Sequence, residues 1–241
     1  MPIYIGISTK NQQQISLGNT QYSKVYCGDK LVWSKGFPLA NSKYGYLYNW
    51  YAATGGTFVA GWHLPSQTEF ETLQTYLGGN TVAGGKLKEI GVNHWDSPNT
   101  GADNSSGFMS YGSGWRNVNG TFGYFKKNTA YRTHTVGFIP TVHWVLQTSY
   151  NFASSVIWEV EDTRGMSIRL LCDSTTDPGF VDIDGKRYKT VKIGNQVWMA
   201  ENLQAKRYAN GVVIPEVTDN TAWANLTTPG LCAYSNDWSN V

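Results

Sequence analysis

Three stretches in the second half of the chain alternate with a period of two. Val142, Trp144 and Leu146 stand against His143, Val145 and Gln147, Val156, Trp158 and Val160 against Ile157 and Glu159, and Met166, Ile168 and Leu170 against Ser167 and Arg169. Successive side chains of a strand point to opposite faces, so this pattern predicts three antiparallel strands with one face inward. The phase puts Val142, Trp144 and Leu146 inside and His143 outside. Upstream the period is helical. Ser66 reads as an N-cap, Glu69 as the return arm of a capping box, Phe70, Leu73 and Leu77 as one stripe, and Gly78-Gly79 as the stop, which predicts a helix over about 67–77. Val82, Leu87 and Ile90 suggest a second, shorter helix over about 82–89.

Composition narrows the class. In 241 residues, enough for one or two domains, 15% are charged against a usual share of about 25%, and 14% are aromatic. Long solvated helices and a disordered chain are therefore excluded. Nineteen Lys and Arg against seventeen Asp and Glu leave +2, too balanced for a surface that tracks phosphates, so no nucleic-acid partner is expected. Cys27, Cys172 and Cys232 are widely spaced and odd in number, and read as small buried hydrophobes. The Met1–Ile7 start lacks the features of a signal peptide and no window is long enough to span a bilayer, so neither secretion nor membrane insertion is expected.

Along the chain, residues 1–36 read as a small β module, with strands at Tyr22–Cys27 and Leu31–Trp33 beside the turn signals Gly18-Asn19 and Gly28-Asp29. Isolated hairpins are marginal, so this segment is expected to pair with another chain or pack on the rest, a candidate attachment module. Tyr44 to Tyr51 packs five aromatics into eight residues. Residues 91–123 read as a long loop region anchored by Trp95 and Trp115. A polar breaker marks a linker at about 173–179. Beyond it come a hairpin over 181–188 with an Asp-Gly turn and a strand pair around Gly194-Asn195.

Several of these strings resemble one family. Gly61-Trp62-His63-Leu64-Pro65-Ser66, Gly84 to Glu89, His94 to Ala102, Ser106-Gly107-Phe108, Tyr44 to Tyr51 and Gly165 to Arg169 are similar to the Fibrobacter succinogenes major paralogous domain family over about 43–173. The resemblance implies an α+β, C-type-lectin-like fold in which two short helices and small antiparallel sheets support a large display loop region. Ile193 to Leu203, Tyr208 to Gly211 and Leu231 to Asn236 also resemble the family, but there they precede the Tyr44–Tyr51 string. The order implies a circular permutation, with 37–173 as the closing half and 174–241 as linker and opening half of one lobe. The alternative is a truncated tandem array whose second copy another chain completes. Lys24 to Trp33 resembles the leading segment of tail proteins from phages and prophages of gut Bacteroidetes.

On this reading the candidate ligand-binding residues are Trp115, Tyr131, Arg132, Thr133, His134, His143, Tyr150 and Asn151, on strands and loops where a lectin-like fold displays its face. Tyr, Trp, Ser, Gly and Asn concentrated on loops resemble a paratope, although Gly and Asn also simply make turns. His63 is expected to be a hydrogen-bonded structural residue. Asp96, Asn99, Asp103 and Asn104 offer oxygens for Ca²⁺, but turn chemistry explains them equally well, and no cofactor is expected. Glu159 and Glu161 share a strand face, and no Ser/His/Asp order, Gly-rich phosphate loop or HExxH motif accompanies them, so no enzyme is expected.

The expected function is a non-enzymatic receptor-binding protein of a phage or prophage tail, assembled in the bacterial cytoplasm and carried in the virion. It would bind a bacterial cell-surface glycan or protein, join other tail proteins through residues 1–36 and form a homo-oligomer, with a trimer favoured. Its face would be a target of a diversity-generating retroelement over about 112–160. The alternative is a structural or assembly component of a tail or surface appendage.

Overall fold

The capping box forms as the sequence marks it. In the computed structural model, which describes residues 44–241 in full and, ahead of them, the backbone of four short strands, the Ser66 hydroxyl accepts from the Glu69 amide while the Glu69 carboxylate accepts from the Ser66 amide at 2.7 Å. Two otherwise unpaired helix-end donors are thereby satisfied.

The chain divides into two units, Met1–Ser42 and Lys43–Val241. In the first, β1 (Ser16–Leu17) pairs with β2 (Thr20–Gln21), and β3 (Lys24–Cys27) with β4 (Lys30–Ser34). Two of the expected strands are these last two. The rest of residues 1–36, and with it the expected attachment role, lies outside the described residues.

The second unit runs through β5 (Leu47–Tyr48), α1 (Trp50–Thr54), β6 (Trp62–His63), α2 (Gln67–Tyr76) and α3 (Asn80–Leu87), then β7 (Ser113–Arg116), β8 (Phe122–Phe125), β9 (Asn128–Val136), β10 (Val142–Ser149) and β11 (Ser155–Glu161). It closes with β12 (Leu171–Cys172), β13 (Phe180–Val181), β14 (Arg187–Tyr188), β15 (Thr190–Ile193), β16 (Gln196–Met199), α4 (Asn220–Ala224) and β17 (Leu231–Cys232). A five-stranded sheet has the order β11-β10-β9-β7-β8, antiparallel except for β7 beside β9. A four-stranded sheet has the order β15-β16-β12-β6, and β17 pairs with β5. The class is α+β.

Residues distant in sequence share these sheets. Trp198 of β16 stands opposite Leu171 of β12, and Leu231 of β17 opposite Tyr48 of β5. Trp198 is buried with Phe70 and Leu73 of α2, stacked on the Phe70 ring at 5.1 Å, while Leu203 is buried with Trp62.

Three local expectations are corrected. The residues from Met166 to Leu170 form no third alternating strand, because all five are buried between the sheets. Their backbone pairs through single bridges instead of a continuous ladder, Met166 with Tyr48 and Ser167 with Tyr131, while the Arg169 guanidinium reaches the carbonyls of Phe108, Met109 and Met199 and the side chain of Asn202. The hairpin over 181–188 closes with a five-residue loop rather than a two-residue Asp-Gly turn, since Asp182 accepts from the amides of Asp184 and Lys186. The second helix starts earlier than expected, at Asn80, and stays packed because Gly84 and Gly85 lie against the backbones of Ser154 and Gly101, where a Cβ would collide.

Arg169→Ala would leave three interior carbonyls without donors. It is expected to destabilise the lobe by about 3–5 kcal/mol, measured by chemical denaturation. Burial pushes the Glu69 carboxyl up, but hydrogen bonds from the Ser66 amide and hydroxyl and from His63 outweigh it and hold the pKa below the usual carboxylate range. Its contribution is therefore complete at neutral pH and lost as pH falls through the folded value. Glu69→Gln should flatten the acid limb of a stability-versus-pH profile.

Candidate functional site

The five-stranded sheet decides what the expected face can touch. Tyr131 and Leu146 pack under α2 and α3 with Phe70, Leu73, Ala83 and Leu87. The alternate residues Ala130, Val145 and Val160 pack with Trp115 and Met166 on the other side. Both faces of β9 and β10 are thus covered, and inward-against-outward phase loses its meaning.

Of the expected binding residues, Trp115, Tyr131, Arg132, Thr133 and His143 are buried, Tyr150 is half-buried, and only His134 and Asn151 are exposed. The phase expected for β10 is corrected as well: Leu146 is buried, but so are His143 and Val145, whereas Val142 and Trp144 are half-buried. A bulge contributes. Between the pairs His143 with Val136 and Val145 with Arg132, β9 carries three residues opposite the single Trp144. Thr133 fills the bulge by donating to the Trp144 carbonyl at 2.7 Å, which leaves His134 outside.

Two of the buried members, Arg132 and His143, lie beneath one cleft. Arg132 donates through Nη2 to the carbonyls of Glu161, Asp162 and Arg164, fixing the turn that leaves β11. His143 donates from Nδ1 to Asp162 Oδ1 at 2.6 Å, the tautomer a carboxylate acceptor requires, and Trp50 stacks on its ring at 3.8 Å between centroids. Arg132 Nε and Nη1 and His143 Nε2 have no hydrogen-bond partner. Above this layer lies a cleft of about 400 Å³ lined by Tyr51, Thr141, Glu161, Asp162, Asn225 and Thr227 among others.

Four separate segments build it. The first turn of α1 carries Tyr51. That turn is anchored by Asn49, whose side chain accepts from the amides of Ala52 and Gly230 and donates to the Thr228 carbonyl. The amide of Trp50 donates to the Asp162 carbonyl at 2.8 Å, tying α1 to the β11 turn. Burial raises the Tyr51 phenol pKa and the Asp162 charge adds to it, partly offset by Arg132. Burial pushes the Glu161 carboxyl up, but hydrogen bonds from its own amide and Arg164, with the charges of Arg164 and Arg132, bring it below its ordinary range. Arg164 pairs with Glu161 at 3.0 Å.

A second cleft, of about 360 Å³, is walled by Phe58, Trp62, Leu64 and Leu170 and rimmed by His63 and His134. His63 lies between two carboxylates, Glu69 at 3.0 Å and Asp173 at 2.5 Å, a structural anchoring between α2 and the end of β12. Asn99, Asp103 and Asn104 bond to groups of their own loop region: Asn99 to the carbonyls of Glu89 and Gly91, Asp103 to the Ser105 amide, Asn104 to the Met109 amide. Among the described residues no group of three or more His, Cys, Asp or Glu gathers at metal-binding distance. No helix among them is long and apolar enough to cross a membrane.

A loop-rich α+β lobe with a pre-shaped polar cleft is the class these features define. The chain belongs to the Fibrobacter succinogenes major domain family, whose model matches residues 8–171. No curated protein matches the chain, and no solved structure does.

Tyr51, Thr141 and Asn225 were not among the residues expected to bind. Tyr51 sits at the end of the aromatic string Tyr44–Tyr51, and no pattern along the chain links it to Asn225, 174 positions later. Tyr131→Ala should cost about 3–5 kcal/mol of folding stability by leaving a cavity under α2 and α3, while Tyr150→Ala, half-buried, should cost far less. Thermal melts of the two variants separate them.

Proposed function

We propose that the chain is a non-enzymatic receptor-binding module of a phage or prophage tail, presenting a C-type-lectin-like lobe to a bacterial surface glycan or protein. The observation that carries this reading is the cleft over Asp162. Its two carboxylates are each held by a fixed partner, His143 for the buried Asp162 and Arg164 for the more exposed Glu161, so the wall they form is set in place before a ligand arrives. Rigid walls reduce the entropy lost on binding, as a recognition surface needs. His134, Tyr150 and Asn151 remain on the accessible part of the surface and stay in the proposal as peripheral contacts.

The permuted order belongs to the same proposal. It is supported by the pairing of β16 with β12 and of β17 with β5, which brings 190–199 and 231–232 into the sheets of the 43–173 segment. Attachment through residues 1–36, a trimeric assembly and diversification of the displayed face complete the reading. An assembly role is the second reading, favoured by the β9–β10 tip, where Phe138 is 86% and Ile139 55% exposed. Apolar side chains so placed suit contact with a neighbouring protein.

Fluorescently labelled full-length chain should adsorb to intact cells of a subset of gut Bacteroidetes isolates, saturably and without altering the cell-surface polymer. Absence of saturable adsorption to every isolate, with Phe138→Ser dispersing an assembly formed by the parent, would favour the assembly role instead.

A further inference from the structure

We infer that the cleft over Asp162 binds an uncharged polyhydroxylated ligand, a neutral saccharide, through the Tyr51 ring, the Glu161 carboxylate and the Asn225 amide. This rests on the receptor-binding reading and names the chemistry of its ligand. A carboxylate pair alone would suit a cationic ligand, but here both charges are already met: Asp162 receives the His143 Nδ1–H at 2.6 Å with the buried Arg132 guanidinium close behind its backbone carbonyl, and Glu161 receives Arg164 at 3.0 Å. Asp162 is buried, but the Glu161 side chain is half exposed, and its remaining lone pairs can still accept hydrogen bonds from hydroxyl groups, two neighbouring ones at once. An anionic ligand finds no free cation among the cleft's lining residues, which include neither Lys nor Arg.

The other walls agree. Thr141 and Thr227 are exposed and supply hydroxyls that donate or accept. Asn225 caps the C-terminal end of α4, its Nδ2 on the Thr221 carbonyl at 2.9 Å, and so presents its amide from a fixed position. Tyr51 is half-buried and packs edge-on against Trp50 at 5.9 Å, which holds a ring at the cleft wall for the apolar C–H face of a sugar. A volume of about 400 Å³ falls within the range of about 300–1,000 Å³ usual for small-ligand sites.

The test uses full-length chain and a panel of neutral hexose and N-acetylhexosamine disaccharides, with amino-sugar and uronic-acid counterparts of the same linkage, read by saturation-transfer NMR and titration. Neutral members are expected to bind in preference to both charged sets. Tyr51→Ala and Asn225→Ala are each expected to weaken that binding roughly tenfold or more while the variant stays folded with only a small drop in melting temperature, the effect of losing one ring face or one good hydrogen-bonding group. Preference for a charged set, no binding by any neutral member, or neutral binding indifferent to both variants would overturn the inference. Cell adsorption measured alongside separates the two levels. Adsorption without saccharide binding would sink the inference and leave the receptor-binding reading standing, whereas saccharide binding at Tyr51 without adsorption to any cell would do the reverse.

Discussion

Four interior cations held by backbone carbonyls organise this lobe. Arg116, Arg132, Arg169 and Lys88 are all buried. Arg116 donates to the carbonyls of Gly120, Val217, Thr218 and Asp219, and Lys88 to those of Thr100, Ser149 and Phe152 at 2.8–2.9 Å. Arg169 reaches Phe108, Met109 and Met199, and Arg132 the 161–164 turn. A loop-rich fold has many carbonyls that no helix or sheet can satisfy, and leaving them buried and unpaired costs about 1–3 kcal/mol each. A guanidinium or ammonium answers several at once and ties together segments as distant as 116 and 219.

The same device shapes the cleft. Arg132, carried on β9, fixes the turn after β11, where Asp162 meets His143 while Trp50 covers the imidazole. Asn49 closes the opposite wall by bridging α1 to residues 228–230. The side chains that fix the cleft walls therefore also satisfy the interior. The cleft's outermost positions, Thr141, Asn225 and Thr227, are exposed and take no part in these interior bonds.

Much of the local structure was written along the chain. Ser66, Glu69 and the Phe70–Leu73 stripe specify α2 through interactions no more than a few residues apart, and Gly194-Asn195 specifies the turn between β15 and β16. The family strings likewise pointed to the family that the chain belongs to. The binding face was less legible. Alternation in β10 correctly marked a strand, but it says only that successive side chains diverge, and it cannot tell whether one side is solvent. Here α2 and α3 cover one side and Trp115 with Met166 the other, so His143 and Arg132, polar by type, lie inside.

By itself, then, the sequence determined α2, the turn between β15 and β16, the α+β class and the family, because capping, turns and periodicity act within a few residues. Only the tertiary structure decided which polar residues reach solvent and which segments meet at a cleft. Tyr51, Thr141, Asp162 and Asn225 come together because interior arginines draw remote carbonyls toward them, and the burial of each residue depends on what the rest of the chain lays over it.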